Sequence, residues 1–253
     1  MAFFEDLGGG RFRATAHATG PWDKRSQHGG PPSALLGRAV EQVAPREDVM
    51  VARVTVEILG PIPVADLSVT ASVVRPGRSV ELVEAVLSHD DRPVAKATAW
   101  RVRRTAGVHV DSKARVASPL PETALANDDW DPGYMQSMEW RFAGGSLDRR
   151  GPAAAWARMK VPLVEGEQPS ALSRVLVLAD SGNGISRELS FSKWFFINPE
   201  LTVHLHREAV GEWICLDAET AVSEGGVGLA TSVLSDSQGP IGTGAQSLFI
   251  APR

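Results

Sequence analysis

Cysteine is almost absent: Cys215 is the only one among 253 residues. An intrachain disulfide and a cysteine-built metal cluster are thereby excluded, and the usage fits a reducing compartment. No apolar run approaches the ~18 residues needed to cross a bilayer as a helix. The first residues, Met1-Ala2-Phe3-Phe4-Glu5-Asp6, lack the basic-then-apolar order of a secretory leader. The default expectation is a cytoplasmic protein with no membrane partner. A basic excess is lacking too. Lys and Arg number 26 against 30 Asp and Glu, for a formal charge of −4, which argues against a nucleic-acid partner. A small anionic ligand held by a few local arginines stays allowed. What remains is ordinary for a globular chain, with 43% hydrophobic and 22% charged residues,.

What is present is a repeat. Pro32-Ser33-Ala34-Leu35 returns as Pro169-Ser170-Ala171-Leu172, an offset of 137, with Arg38 and Arg174 following in the same helices. Val54-Thr55-Val56 returns as Leu201-Thr202-Val203, Val86-Leu87-Ser88 as Val233-Leu234-Ser235, and Pro93 as Pro240, all at an offset of 147. One offset held across three segments points to a tandem pair of domains, the second copy having gained ten residues between its helix and its later strands. The period is too long for a solenoid.

The first copy reads as an opening strand over 11–19, a helix over 33–43, and strands over 50–58, 67–75, 80–88 and 94–103. Leu35, Leu36, Ala39, Val40 and Val43 form the helix stripe, and Pro45 stops it. In the third segment Met50, Ala52, Val54, Val56 and Ile58 alternate with mixed residues, which predicts one apolar face. Pro76-Gly77 and Asp90-Asp91-Arg92-Pro93 are turn chemistry. The second copy repeats this order: strands over 137–144 and 153–161, a helix over 168–180, then strands over 200–208, 211–220, 228–235 and 241–250. Each copy is a curved antiparallel sheet around one central helix. Two in one chain resemble the α+β double hot-dog fold, with an N-terminal domain over 1–105, a connector over 106–132 and a C-terminal domain over 133–253. The extra residues, within 182–197, carry Phe191, Trp194, Phe195 and Phe196. They are expected to pack against the sheet or the other half, with an acyl pocket as the alternative.

Candidate chemistry lies in the second copy. Asp180 ends its helix just before the stop Ser181-Gly182-Asn183-Gly184. A carboxylate there faces the negative end of the helix dipole, among apolar neighbours that favour burial; a solvated turn Asp is the competing reading. Gln246 shares a strand face with Gly242 and Gly244, which leave space above the backbone. At the 147 offset these three positions are Ala99, Ala95 and Ala97. Asn198 precedes Pro199, common in turns, and its counterpart is Val51.

On Leu178-Ala179-Asp180-Ser181, on Leu205-His206-Arg207 with Glu212-Trp213, and on Gly242-Thr243-Gly244-Ala245-Gln246, the chain resembles the bacterial acyl-CoA thioesterase II family of double hot-dog hydrolases. The resemblance implies a catalytic Asp at 180, a polar residue at 198 where the family has Thr and this chain Asn, and a Gln at 246. It implies hydrolysis of acyl-CoA to free acid and CoA by a water that these three position, without a cofactor or a metal, and a place in fatty-acid metabolism. His28-Gly29-Gly30 opens the first helix with free amides suited to an anion or a carbonyl oxygen, so His28, Gly29 and Gly30 are candidate substrate contacts. Arg78, in the turn 75–79, is a candidate for coenzyme A phosphates. The bland readings are a capping His and a solvated turn. His204 and His206 share a strand face without a third ligand and read as surface. Neither Ser33 nor Ser170 has a nucleophile-elbow context. The alternatives are a non-hydrolytic acyl-thioester binding protein and a hot-dog dehydratase or hydratase, although no second acid–base His is evident near Asp180. A homo-oligomer of the pseudo-dimeric chain is compatible with all of these.

Overall fold

The computed structural model describes residues 1–108, 117–128, 131 and 133–253. The first lobe holds β1 (Phe4–Gly8), β2 (Arg11–Ala14), α1 (Gly30–Gln42), β3 (Val49–Ile58), β4 (Asp66–Arg75), β5 (Val80–His89) and β6 (Arg92–Arg103). The second holds β7 (Met138–Gly144), β8 (Ala153–Met159), α2 (Ala171–Ala179), α3 (Gly182–Ile185), β9 (Trp194–Ile197), β10 (Glu200–Leu205), β11 (Ile214–Val222), β12 (Val227–Asp236) and β13 (Gly239–Pro252). Among the described residues the strands form one sheet in the order β1-β2-β4-β5-β6-β3-β10-β13-β12-β11-β8-β7, with β9 pairing β13. This is the double hot-dog architecture. The expected connector lies partly outside the described residues. No helix among the described residues is long and apolar enough to cross a membrane.

The 147-residue offset is realised in the register. β3 pairs antiparallel with β10, Thr55 opposite Thr202 and Val54 opposite Val203. Thr202 Oγ1 lies 3.2 Å from Thr55 Oγ1, so a pseudo-twofold axis passes between two residues related by the repeat. The pairs Leu87–Ala95 and Thr55–Thr98 in the first lobe return as Leu234–Gly242 and Thr202–Ala245 in the second. Joining at β3 and β10 also removes two sheet edges.

The helices lie inside this sheet and pack on each other. A Cβ on Gly37 would overlap Leu176, so a glycine sets the close approach. Leu35, Leu36 and Val40 of α1 and Val175, Leu176 and Leu178 of α2 are all buried, each such side chain stabilising the fold by about 1.5–3 kcal/mol.

Three expectations need correction. The opening strand is only Arg11–Ala14, followed by a 3-10 turn at Ala16–Ala18, and a strand at Phe4–Gly8 precedes it. In β3 the buried residues are Val49 and Val51, then Val54 and Val56. A bulge between Val51 and Arg53 inserts one residue and switches the face,, so Met50 and Ala52 alternate with the buried valines, Met50 being only partly buried where it packs against the core. Finally, α1 starts at Gly30 and includes Pro31 and Pro32 in its first turn, where missing amides cost nothing. The added residues of the second lobe form α3 and β9. Phe191, Trp194 and Phe196 pack with Trp22, Leu248 and Ile250, on the same face of β13 as Gln246.

Candidate active site

Asp180 is the C-cap of α2, still near helical angles at φ −68° and ψ −10°, and is 4% exposed. Asn198, in the turn between β9 and β10, donates from Nδ2 to Asp180 Oδ1 at 2.8 Å and lies 3.2 Å from the Glu200 carbonyl oxygen. Gln246 on β13 donates from Nε2 to Asp180 Oδ1 at 3.2 Å and to the Asp180 carbonyl oxygen at 3.0 Å. Its Oε1 accepts the Asn183 N–H from α3 at 3.0 Å. The last carbonyls of a helix have no partner within it, and Gln246 supplies one here. A Cβ on Gly182 would stand 2.9 Å from Gln246 Oε1, so only glycine lets this amide seat itself.

The other wall comes from the first lobe. A Cβ on Gly29 would lie 2.7 Å from Asp180 Oδ2, and one on Gly30 would collide with the Val177 carbonyl oxygen. His28 Nδ1 accepts the Gly30 N–H at 3.0 Å and sits 3.3 Å from Asp180 Oδ2. The Tyr134 ring stacks on His28 with centroids 3.7 Å apart and planes 7° from parallel. Its hydroxyl donates to the Val177 carbonyl oxygen at 3.0 Å and lies 2.8 Å from Ser181 Oγ.

Burial raises Asp180 to about 7, against the lowering effect of the Asn198 and Gln246 hydrogen bonds and of the Gly29 amide,. Burial lowers His28 to about 3 and pushes Tyr134 well above the usual phenol range. The His28–Asp180 contact is therefore not an ion pair near neutral pH. A neutral imidazole turns its hydrogen-free Nδ1, which already accepts the Gly30 amide, toward the carboxyl group and disfavours its ionised form. Such a group titrates where a general base is most effective.

Residues 116–250 match the family profile described as acyl-CoA thioesterase C-terminal domain, and residues 18–102 match the acyl-CoA thioesterase N-terminal domain. The chain belongs to the acyl-CoA thioesterase family. Solved structures share the fold along the whole chain. A proposed thioesterase II from Thermobifida fusca is 15% identical, with a TM-score of 0.75 over 98% of this chain and 95% of that one. A hot-dog protein of unknown function from Alicyclobacillus acidocaldarius is 17% identical, with a TM-score of 0.74 over 97% and 95%. An acyl-CoA thioesterase II from Mycobacterium marinum is 15% identical, with a TM-score of 0.68 over 99% and 95%. No curated protein sequence matches.

In this acyl-CoA thioesterase the three residues expected to act together do meet, and His28, Gly29 and Gly30 join them from the other lobe. The absence of a His near Asp180, read from sequence, is corrected by His28. Arg78 is not brought there. It is exposed in the β4–β5 hairpin, where Arg46, beyond the far end of α1, bonds its carbonyl oxygen; the 13 residues of α1 put roughly 20 Å between the two ends. His204 and His206 are exposed, and no group of metal-binding side chains occurs among the described residues. Tyr134 was missed. It is the single tyrosine of the chain, in a stretch without periodic pattern, and that rarity was its only signal.

Proposed function

We propose that the chain hydrolyses acyl-CoA thioesters with Asp180 as general base, Asn198 and Gln246 fixing its carboxylate. The observation that carries this reading is the convergence of both amides on Asp180 Oδ1, which leaves Oδ2 facing the start of α1. The thioester carbonyl oxygen points toward the positive end of that helix, which favours the charge developing on it; the Gly29 and Gly30 amides there are engaged by Asp180 and by His28 Nδ1, and the prolines after them have none. A water attacks the carbonyl carbon and gives a proton to Oδ2. The tetrahedral intermediate collapses, the C–S bond breaks, and the proton passes on to the leaving thiolate. The products are a carboxylic acid and the CoA thiol. Holding water, base and carbonyl together can remove several kcal/mol of barrier.

His28 beside Asp180 is the one observation that favours a dehydratase or hydratase, which needs an acid–base imidazole. Its Nδ1 lone pair already takes the Gly30 amide, and burial keeps the ring neutral. The ring is therefore poorly set to carry a proton through a reaction, and family membership points to the hydrolase. The test is free-thiol release from a panel of acyl-CoAs. Wild type releases thiol, and Asp180→Asn is slower by about 10²–10⁴-fold. Binding without release assigns the chain to the non-hydrolytic class. Full turnover in Asp180→Asn removes Asp180 as the base.

A further inference from the structure

We infer that Tyr134 is a positioning residue for the reaction, acting through His28: its ring holds the imidazole so that Nδ1, the nitrogen without a hydrogen, faces Asp180 Oδ2 and favours uptake of the proton of the attacking water by that carboxylate. The inference rests on Asp180 being the base.

Three features carry it. Tyr134 is 1% exposed and lies face to face with the imidazole, 3.7 Å away; such a stack leaves the ring no freedom to turn about its bond to Cβ. The hydroxyl is anchored on the Val177 carbonyl oxygen and Ser181 Oγ, three residues before and one residue after Asp180. The Tyr134 backbone N–H donates to the Thr19 carbonyl oxygen at 3.0 Å. One side chain thus ties the base-bearing end of α2 to the first-lobe segment that carries His28. The orientation it imposes is chemically specific. The Gly30 amide donates to Nδ1, which fixes the neutral ring with its hydrogen on Nε2. An ionised Asp180 then meets the hydrogen-free edge of the ring at 3.3 Å, a repulsion that is removed when Asp180 takes a proton. The pair favours proton uptake from water and stays neutral afterwards. Asp180 is otherwise met by Asn198, Gln246 and the Gly29 amide, all donors that favour its ionised form.

The test is a double-mutant cycle on turnover. Tyr134→Leu and His28→Ala are each expected to lower kcat about tenfold with KM little changed, and the double variant to be no slower than His28→Ala alone. Tyr134→Phe, which keeps the stack, is expected to stay within threefold of wild type. In Tyr134→Leu water reaches Asp180, so the acid limb of kcat moves down from about 7 toward the ordinary carboxylate range. Multiplying losses in the cycle, or an unmoved acid limb, overturns the inference. Should Tyr134→Leu not fold, ¹⁵N spectra of labelled wild type decide instead. His28 is expected to stay in the Nε2–H form from pH 5 to 9, its Nδ1 signal shifting only as Asp180 titrates. A His28 that protonates on its own with a midpoint near 6.5 overturns the inference as well. Loss of turnover in Asp180→Asn together with multiplying losses at 28 and 134 would sink this role while leaving the base in place; retained turnover in Asp180→Asn would sink both.

Discussion

The two lobes end their central helices at equivalent places and treat those ends in opposite ways. Val43 caps α1 where Asp180 caps α2, and Val51 and Ala99 stand where the second lobe has Asn198 and Gln246. In the first lobe the Val40 and Val43 carbonyls face Arg101 Nη1 at 3.3 and 2.8 Å, and Arg101 Nε lies 2.9 Å from Glu81 Oε1. Arg101 is 1% exposed. The repeat partners of Arg101 and Glu81 are Leu248 and Gly228, and Leu248 belongs to the aromatic cluster. Both helix ends need donors; one is served by a permanent cation, the other by a neutral amide. A buried guanidinium beside Asp180 would hold its carboxyl low and make it a poor base. The neutral amide of Gln246 satisfies the helix and leaves burial free to raise the pKa. The helix starts differ as well. Relative to α1, α2 begins four residues late, so 167–170 are not helical, and a groove of about 420 Å³ lined by Glu41, Glu167, Ser170 and Ser173 opens there. One lobe provides a helix start and the other a helix end, which gives one site per chain.

The sharpest way to break this comparison is a double dissociation. Gln246→Ala removes the amide from Asp180 and is expected to lower turnover about 10²-fold, within the range of lost acid–base and orienting groups, with a small change in melting temperature. Arg101→Leu is expected to do the reverse. It leaves Glu81 buried without its closest cation and strips donors from α1, at a cost of about 3–5 kcal/mol, while kcat per folded molecule holds. Denaturant titration and steady-state kinetics on both variants check this. A catalytic loss from Arg101→Leu as large as that from Gln246→Ala would mean the lobes are not divided into structural and chemical halves.

The same comparison explains what the sequence revealed. Gln246 and Asn198 were legible against Ala99 and Val51 at the repeat offset, Asp180 as a carboxylate ending an apolar helix, and the family resemblance drew the three together. The strands were legible from their alternation and turn residues, except at Val51–Arg53, where a bulge breaks the period of two. The buried Arg101–Glu81 pair was hidden, since charges on strands at these positions read as outward-facing until the helix end that they serve is in place. Tyr134 was hidden for another reason. It belongs to neither copy's repeating elements, and its role depends on a stack between segments more than 100 residues apart. Gly29 and Gly30 were visible as a pair, but only the packed α2 end shows that Asp180 requires the first and the Val177 carbonyl the second.

A smaller effect tests the electrostatic side. With Asp180 at about 7, turnover is expected to rise with pH through that value as the base form appears. Stability is expected to move the opposite way. Between the unfolded carboxylate value of about 4 and about 7, the folded state holds a proton that the unfolded state has lost, so stability falls as pH rises through this window and is level above it. Asp180→Asn abolishes the ionisation. The variant should therefore melt higher than wild type at pH 8 and lose that advantage by pH 4. Melting curves at both values check the sign. An advantage that is equal at both would place the Asp180 pKa near its ordinary value and contradict the burial argument.

The smallest expected effect is none. If the three side chains sufficed, grafting Val43→Asp, Val51→Asn and Ala99→Gln into the first lobe would build a second site. Carried in the Asp180→Asn background, where residual turnover is low, the graft is expected to restore less than about 1% of wild-type rate, the two-decade loss expected of a chain lacking a working base. The reason lies at the far end of α2. The counterpart of Gly29 is Gly166, but that of Gly30 is Glu167, whose carboxylate is held by Arg38 at 2.6 Å, and the helical turn that would present amides is missing. The counterpart of His28 is Glu165, which instead binds the Met1 amino group at 2.9 Å. A grafted Asp would also face Arg101 and be held in its ionised, weakly basic form. Recovery of thiol release by the graft would show that a helix start in register with the carboxylate is dispensable, and that the asymmetry between α1 and α2 is structural history without chemical consequence.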